Sequence, residues 1–158
     1  MKSFQGLCIA ALLVWTAPVM AQNASTPASM EILKEKVKAD KKLLVASNMD
    51  LSDSEANAFW PLYDEYQKEL EQINHRLGTT IEEYAEAYNK GPLPDDTAKK
   101  LMNEALAVEQ SEVQLKRTFA DKLRKVLPAS KTARYIQIEN KIRAIIRADL
   151  AQRIPLVY

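Results

Sequence analysis

LSDSEANAFWPLYDEYQKELEQINHRLGTTIEEYAEAYN, residues 51–89, decides the fold. Within it Phe59, Tyr63, Tyr66, Leu70, Ile73, Leu77, Ile81, Tyr84 and Tyr88 recur at steps of four and three, which alternate except from Leu77 through Ile81 to Tyr84. Such spacing keeps one seam facing a partner helix. It predicts a helix over about Ser52 to Asn89, roughly 55 Å long at ~1.5 Å per residue. The helix has a defined start, because Ser52 can accept from the backbone N–H of Glu55 while Glu55 reaches back to the N–H of Ser52. Pro61 lacks an N–H and crowds the preceding turn, so a kink is expected near Asn57 to Trp60. Gly78-Thr79-Thr80, where the stripe slips by one residue, is a weaker point that can bend a second time.

On the C-terminal side, Lys90-Gly91-Pro92-Leu93-Pro94-Asp95 stops this helix and caps the next. So short a connection makes the two neighbours antiparallel. A third segment, about Asp96 to Val126, repeats Ala98, Leu101, Ala105, Val108, Glu112, Leu115, Phe119, Lys122 and Val126 at the same spacing, with Leu106, Leu123 and Leu127 widening the apolar face. Leu127-Pro128-Ala129-Ser130 breaks it, and Ser130 is the expected cap of a fourth helix. Tyr135, Ile138, Ile142, Ile145, Ile146 and Leu150 mark that helix to about Gln152, before Pro155. On the N-terminal side, Met30 to Ser47 carries Ile32, Leu33, Val37, Leu44 and Val45 in an imperfect amphipathic stripe. Glycine occurs only at Gly6, Gly78 and Gly91, too few for the turns of a sheet protein. The expectation is an all-α fold: a long antiparallel helical hairpin with four helices, in one domain over residues 30–152.

Residues 1–21 read as an export signal, with Lys2 as a positive n-region, Leu7 to Val14 as an apolar run and Val19-Met20-Ala21 as a cleavage site before Gln22. The run is shorter than the ~20 residues a membrane span needs, so removal rather than anchoring is expected. Residues 22–29 form a polar leader expected to be disordered, in which Asn23-Ala24-Ser25 matches a glycosylation sequon. Cys8 would leave with the signal, so the exported chain would hold no thiol and one histidine, His75. That leaves little equipment for nucleophilic, acid–base or zinc chemistry. With Glu71 at i−4, His75 offers at most two ligands, and no Glu-x-x-His pair for a dimetal centre occurs. No cofactor and no metal are expected. An enzyme would need a dry cleft holding two of Glu65, Glu69, Glu82, Glu83 and Glu86.

Charge is sorted along the chain. Residues 50–115 hold 15 acidic and 5 basic residues, whereas residues 116–158 hold 11 basic and 3 acidic. Two readings compete. In one, the acidic second helix lies beside the basic end of the third and the fourth, each screening the other within the fold. In the other, Lys116, Arg117, Lys122, Arg124 and Lys125, with Arg134, Lys141, Arg143 and Arg147, form an exposed basic rim that attracts acidic, partly unfolded clients or anionic headgroups. Without an overall basic excess, nucleic acid is not an expected partner.

The aromatic stripe Phe59, Trp60, Tyr63, Tyr66, Tyr84 and Tyr88, taken with Leu115 and Phe119 as candidate client or dimer contacts, also has two readings. It is either core or dimer seam, or an apolar surface kept open for client proteins. Three or four thin helices can hardly enclose two long seams, so some apolar surface is expected to be shared with a second copy or offered to a client.

These residues resemble the Spy/CpxP group of bacterial periplasmic helical proteins, named for repeated Leu-Thr-x-x-Gln motifs at helix starts. Leu51-Ser52-Asp53-Ser54-Glu55 matches the first motif with Ser for Thr and Glu for Gln. Leu127-Pro128-Ala129-Ser130-Lys131 keeps the leucine and the place of the second, but not its Thr or Gln. The resemblance covers roughly residues 30–152. It implies a thin, curved hairpin that dimerises into a cradle, with ATP-independent chaperone activity in some members and restraint of an envelope stress sensor in others. Metal-binding relatives use clusters of histidine or cysteine, which this chain lacks. The apolar tail, residues 153–158, ends in Pro155-Leu156-Val157-Tyr158. Either it folds back onto a helix groove or it is read by strand addition in a PDZ-type groove of a periplasmic protease.

Overall fold

The structure, a computed structural model, describes the backbone of residues 27–157 and the side chains of residues 38–157. The expected signal and residues 22–26 of the expected leader lie outside the described residues, as does Tyr158. The described residues form four α-helices and no strand: α1 (Pro27–Met49), α2 (Asp53–Asn89), α3 (Asp95–Leu123) and α4 (Ala129–Arg153). Residues 27–29, assigned from sequence to the leader, open α1 instead. The contacts divide the chain into two units between Lys38 and Ala39. All the packing below belongs to the second.

The capping box forms as the sequence implies. Ser52 Oγ accepts from the Glu55 N–H at 3.4 Å, and Glu55 Oε2 accepts from the Ser52 N–H at 2.8 Å. Lys131 Nζ sits 2.6 Å from the same Glu55 oxygen and 2.6 Å from the carbonyl of Asp50, so the start of α4 is tied to the start of α2. The Lys131 hydrogen bond, and then the Ser52 N–H, hold the Glu55 carboxyl below the ordinary carboxylate range. From there α2 runs unbroken through Pro61 and Gly78. The carbonyl that Pro61 leaves without a donor belongs to Asn57, an exposed residue where water can take the donor's place.

Gly91, at φ 126°, makes the turn after α2, and Pro94 in extended backbone begins α3 with Asp95 and Asp96 in its first turn. Pairing between α2 and α3 is antiparallel: Glu65 meets Lys122, Tyr66 meets Phe119, Arg76 meets Glu104 and Glu83 meets Lys100. Phe59, Tyr63, Tyr66, Leu70 and Ile73 of α2 are buried against Val108, Leu115, Phe119 and Leu123 of α3. Tyr135 of α4 packs on the α2 rings, its centroid 5.2 Å from Phe59 and 5.8 Å from Tyr66. From α1, Val45 and Met49 complete the core.

Three expectations are corrected. Ser130 does not cap α4, because Pro128 occupies the N-cap position without a side-chain hydrogen bond and Ser130 is already inside the helix. At the slip in the α2 stripe the buried residue is Thr80, with Leu77, Ile81 and Tyr84 half-buried around it. Its hydroxyl donates to the Arg76 carbonyl at 2.9 Å, so this polar residue enters the seam with its donor satisfied. Leu106 does not widen the buried face of α3; it is 57 % exposed.

Candidate functional site

The buried stripe of α4 is polar. Thr132, Glu139 and Arg143 are buried with Tyr135, whereas Ile145 and Ile146, expected to mark the inner face, are 72 % and 44 % exposed. The cause lies in what the neighbouring helices present. Glu139 accepts from Lys41 of α1 at 2.8 Å and from Gln67 of α2 at 2.9 Å, and Gln67 also reaches the Tyr135 hydroxyl at 3.3 Å. One turn further along α4, Arg143 donates through Nε to Glu112 of α3 at 2.8 Å and through Nη1 to Asn74 of α2 at 2.7 Å. Lys116 and Arg147, each 3.2 Å from Glu112, complete this second cluster. Burial pushes the Glu112 carboxyl up, but Arg143 and then Lys116 outweigh it, and the group lies below its ordinary range. Burial raises the hydroxyls of Tyr63, Tyr66 and Tyr135, so all three are neutral at physiological pH.

These clusters decide between the two readings of charge for much of the basic rim. Arg143 is buried, and Lys116 and Arg147 share its carboxylate partner. Lys122 pairs with Glu65 at 2.8 Å and stands over the Phe119 ring, and Arg124 pairs with Asp121. Five of the nine rim residues therefore spend charge inside the chain. Arg117, Lys125, Arg134 and Lys141 are exposed. The aromatic stripe divides in the same way: Phe59, Tyr63, Tyr66, Leu115 and Phe119 are closed inside a single chain and cannot be open client contacts, while Trp60, Tyr84 and Tyr88 are half-buried at its edge.

An opening lies where α4 leaves the hairpin. After Arg143, α4 buries no further residue. Between its C-terminal half and the α2–α3 tip lies a groove of about 520 Å³, walled by Leu77, Ile81 and Tyr84 of α2, by Leu101, Met102 and Ala105 of α3, and by Arg147 and Leu150 of α4. The tail after α4 contributes Ile154 to Val157 to the same groove. It is held there by the Tyr84 hydroxyl, which donates to the Pro155 carbonyl at 2.9 Å, although the Leu156 side chain is 86 % exposed. The tail thus folds back onto a helix groove, one of its two expected fates, but the place of the groove was not read from sequence because α4 reads there as apolar on the isoleucine face. The available signal was Glu112, a carboxylate at a seam position of α3.

The remaining candidates are surface groups. Glu65, Glu69, Glu82, Glu83 and Glu86 are exposed along α2, and His75 is exposed beside them. No group of three or more metal-ligating side chains occurs among the described residues. No helix among them is long and apolar enough to cross a membrane. Comparison of the chain with protein-family models, with curated proteins and with solved structures finds no match.

Proposed function

We propose that this chain is an exported, non-enzymatic protein-binding module, an ATP-independent periplasmic chaperone of the Spy/CpxP type. The observation that carries the reading is an exposed apolar line on α3. Met102, Leu106 and Val113, spaced by four and seven residues, lie 57 %, 57 % and 48 % exposed on one face of a helix whose opposite face already fills the core. Ile145 and Ile146 of α4 add to the exposed apolar surface. Such a line holds an unfolded segment by contact without fixing its sequence, and the exposed Arg117, Lys125, Arg134 and Lys141 steer encounter with acidic clients. A second copy could cover part of the same surface, and the expected homodimer belongs to this proposal. Capture of the tail by a protease would first have to break the Tyr84–Pro155 hydrogen bond.

The test is light scattering of an aggregating model protein, with the purified exported chain at equal concentration and no ATP. Suppression is expected, weakened by Leu106→Glu combined with Val113→Glu at unchanged helicity. High salt should slow capture, because screening shortens from about 10 Å at 0.1 M to about 3 Å at 1 M. Unchanged aggregation with the folded protein would overturn the chaperone reading and favour a partner restricted to one sensor domain.

A further inference from the structure

We infer that the groove between α4 and the tip of the α2–α3 hairpin binds a single long alkyl chain carrying a carboxylate head, a site that shares Met102 but neither Leu106 nor Val113 with the exposed line on α3. Its volume of about 520 Å³ falls inside the span of small-molecule sites, about 300–1,000 Å³. Its walls are those of an alkyl-chain site: Leu77 and Ile81 on one side, Leu101 and Met102 on the other, and the tail residue Ile154 beside them. The charged groups of the lining are Glu109, Arg143 and Arg147.

Arg147 supplies the head-group partner. Its guanidinium has five N–H donors. Among the described residues it makes one hydrogen bond, from Nη2 to Glu112 at 3.2 Å, and Nη1 stands 3.7 Å from Glu109, beyond hydrogen-bond reach. Arg143, by contrast, is committed to Glu112 and Asn74. Arg147 is about half exposed at the groove wall, so a carboxylate can take the unused donors while its chain enters the apolar channel. Glu109 lines the same groove and competes for that cation. The site therefore carries a specific asymmetry: removing Glu109 strengthens binding and removing Arg147 weakens it.

Titration calorimetry of the full exported chain with laurate and with dodecanol, both below their aggregation limits, tests the site. One saturable laurate site is expected, with dodecanol weaker by about tenfold, the loss of one charge-assisted contact. Arg147→Gln should remove that preference by weakening laurate alone, and Glu109→Gln should tighten laurate about threefold. Met102→Glu, at an exposed groove position where folding is not at stake, should abolish binding of both. Ala105→Trp, which fills the groove from α3, should do the same with helicity unchanged by circular dichroism. Absence of saturable laurate binding, equal binding of laurate and dodecanol, or binding that survives Met102→Glu would each overturn the inference. Protection of an aggregating protein is read in a separate assay, so either proposal can fail without the other.

Discussion

Replacing Glu112 by alanine removes the carboxylate on which Lys116, Arg143 and Arg147 converge. The Glu112 side chain is 3 % exposed and that of Arg143 11 %, and two guanidinium nitrogens lie 2.8 Å from the same Glu112 oxygen. Breaking a buried pair from one side costs about 3–5 kcal/mol, because the surviving charge stays buried without compensation. Arg143 keeps its hydrogen bond to Asn74, and Lys116 and Arg147 are exposed enough to be hydrated, so the cost should fall near the lower end, about 3 kcal/mol. At a urea slope of about 2 kcal/mol per M, the unfolding midpoint drops by about 1.5 M. The pair Glu112→Leu with Arg143→Met removes both charges and should lie within about 1 kcal/mol of the parent. Acid sensitivity supplies a second readout. The folded Glu112 carboxyl lies below its ordinary 4.5, so its contribution is complete above that value and is lost as pH falls through the lowered one. Glu112→Gln should flatten this acid limb. Urea denaturation followed by circular dichroism, repeated across acid pH, reads all three variants. A cost below about 1 kcal/mol for Glu112→Ala, or a double variant no more stable than the single, would refute the account.

Other substitutions probe the packing and the caps. Phe119→Ala empties a fully buried position whose ring lies 5.3 Å from Tyr66, and should cost about 3–5 kcal/mol in urea unfolding; a loss under about 1.5 would mean the seam collapses around the gap. Thr132 Oγ1 is buried without a hydrogen-bond partner among the described residues, so Thr132→Val should raise stability by about 1 kcal/mol, and a decrease would reveal a bound water or other partner. Ser52→Ala should cost about 1 kcal/mol through loss of the capping box, whereas Ser130→Ala should change stability by less than about 0.5 kcal/mol in thermal or urea melts.

The hairpin was legible because its information is local. Phe59 to Ile73 repeat at the period of a helical seam, Ser52 and Glu55 carry their own cap, and Gly91 with Pro94 marks the turn, all within single stretches of chain. The fourth helix was legible as a helix but not by its face. Its isoleucines suggested the inner side, yet Tyr135, Glu139 and Arg143 go inward because Lys41, Gln67, Asn74 and Glu112 wait for them on three other helices. Periodicity records the polarity of one helix and is blind to partners more than 30 residues away. Ser130 failed for a related reason, since a good capping side chain loses to a proline that already holds the N-cap backbone extended.

The partial anchoring of α4 has a kinetic consequence. From residue 144 to the end of the helix at Arg153 no side chain is buried and only Leu150 is half-buried, whereas the preceding half is held by Tyr135, Glu139 and Arg143. The two halves of one helix thus belong to different cooperative units, and the second opens at a fraction of the free energy of global unfolding. Its amide protons should exchange orders of magnitude faster than those around Phe59 and Phe119, with the boundary at Arg143. Any guest passing between α4 and the hairpin would be gated by this breathing, so its rate of entry would follow the opening frequency of ten residues rather than the stability of the molecule.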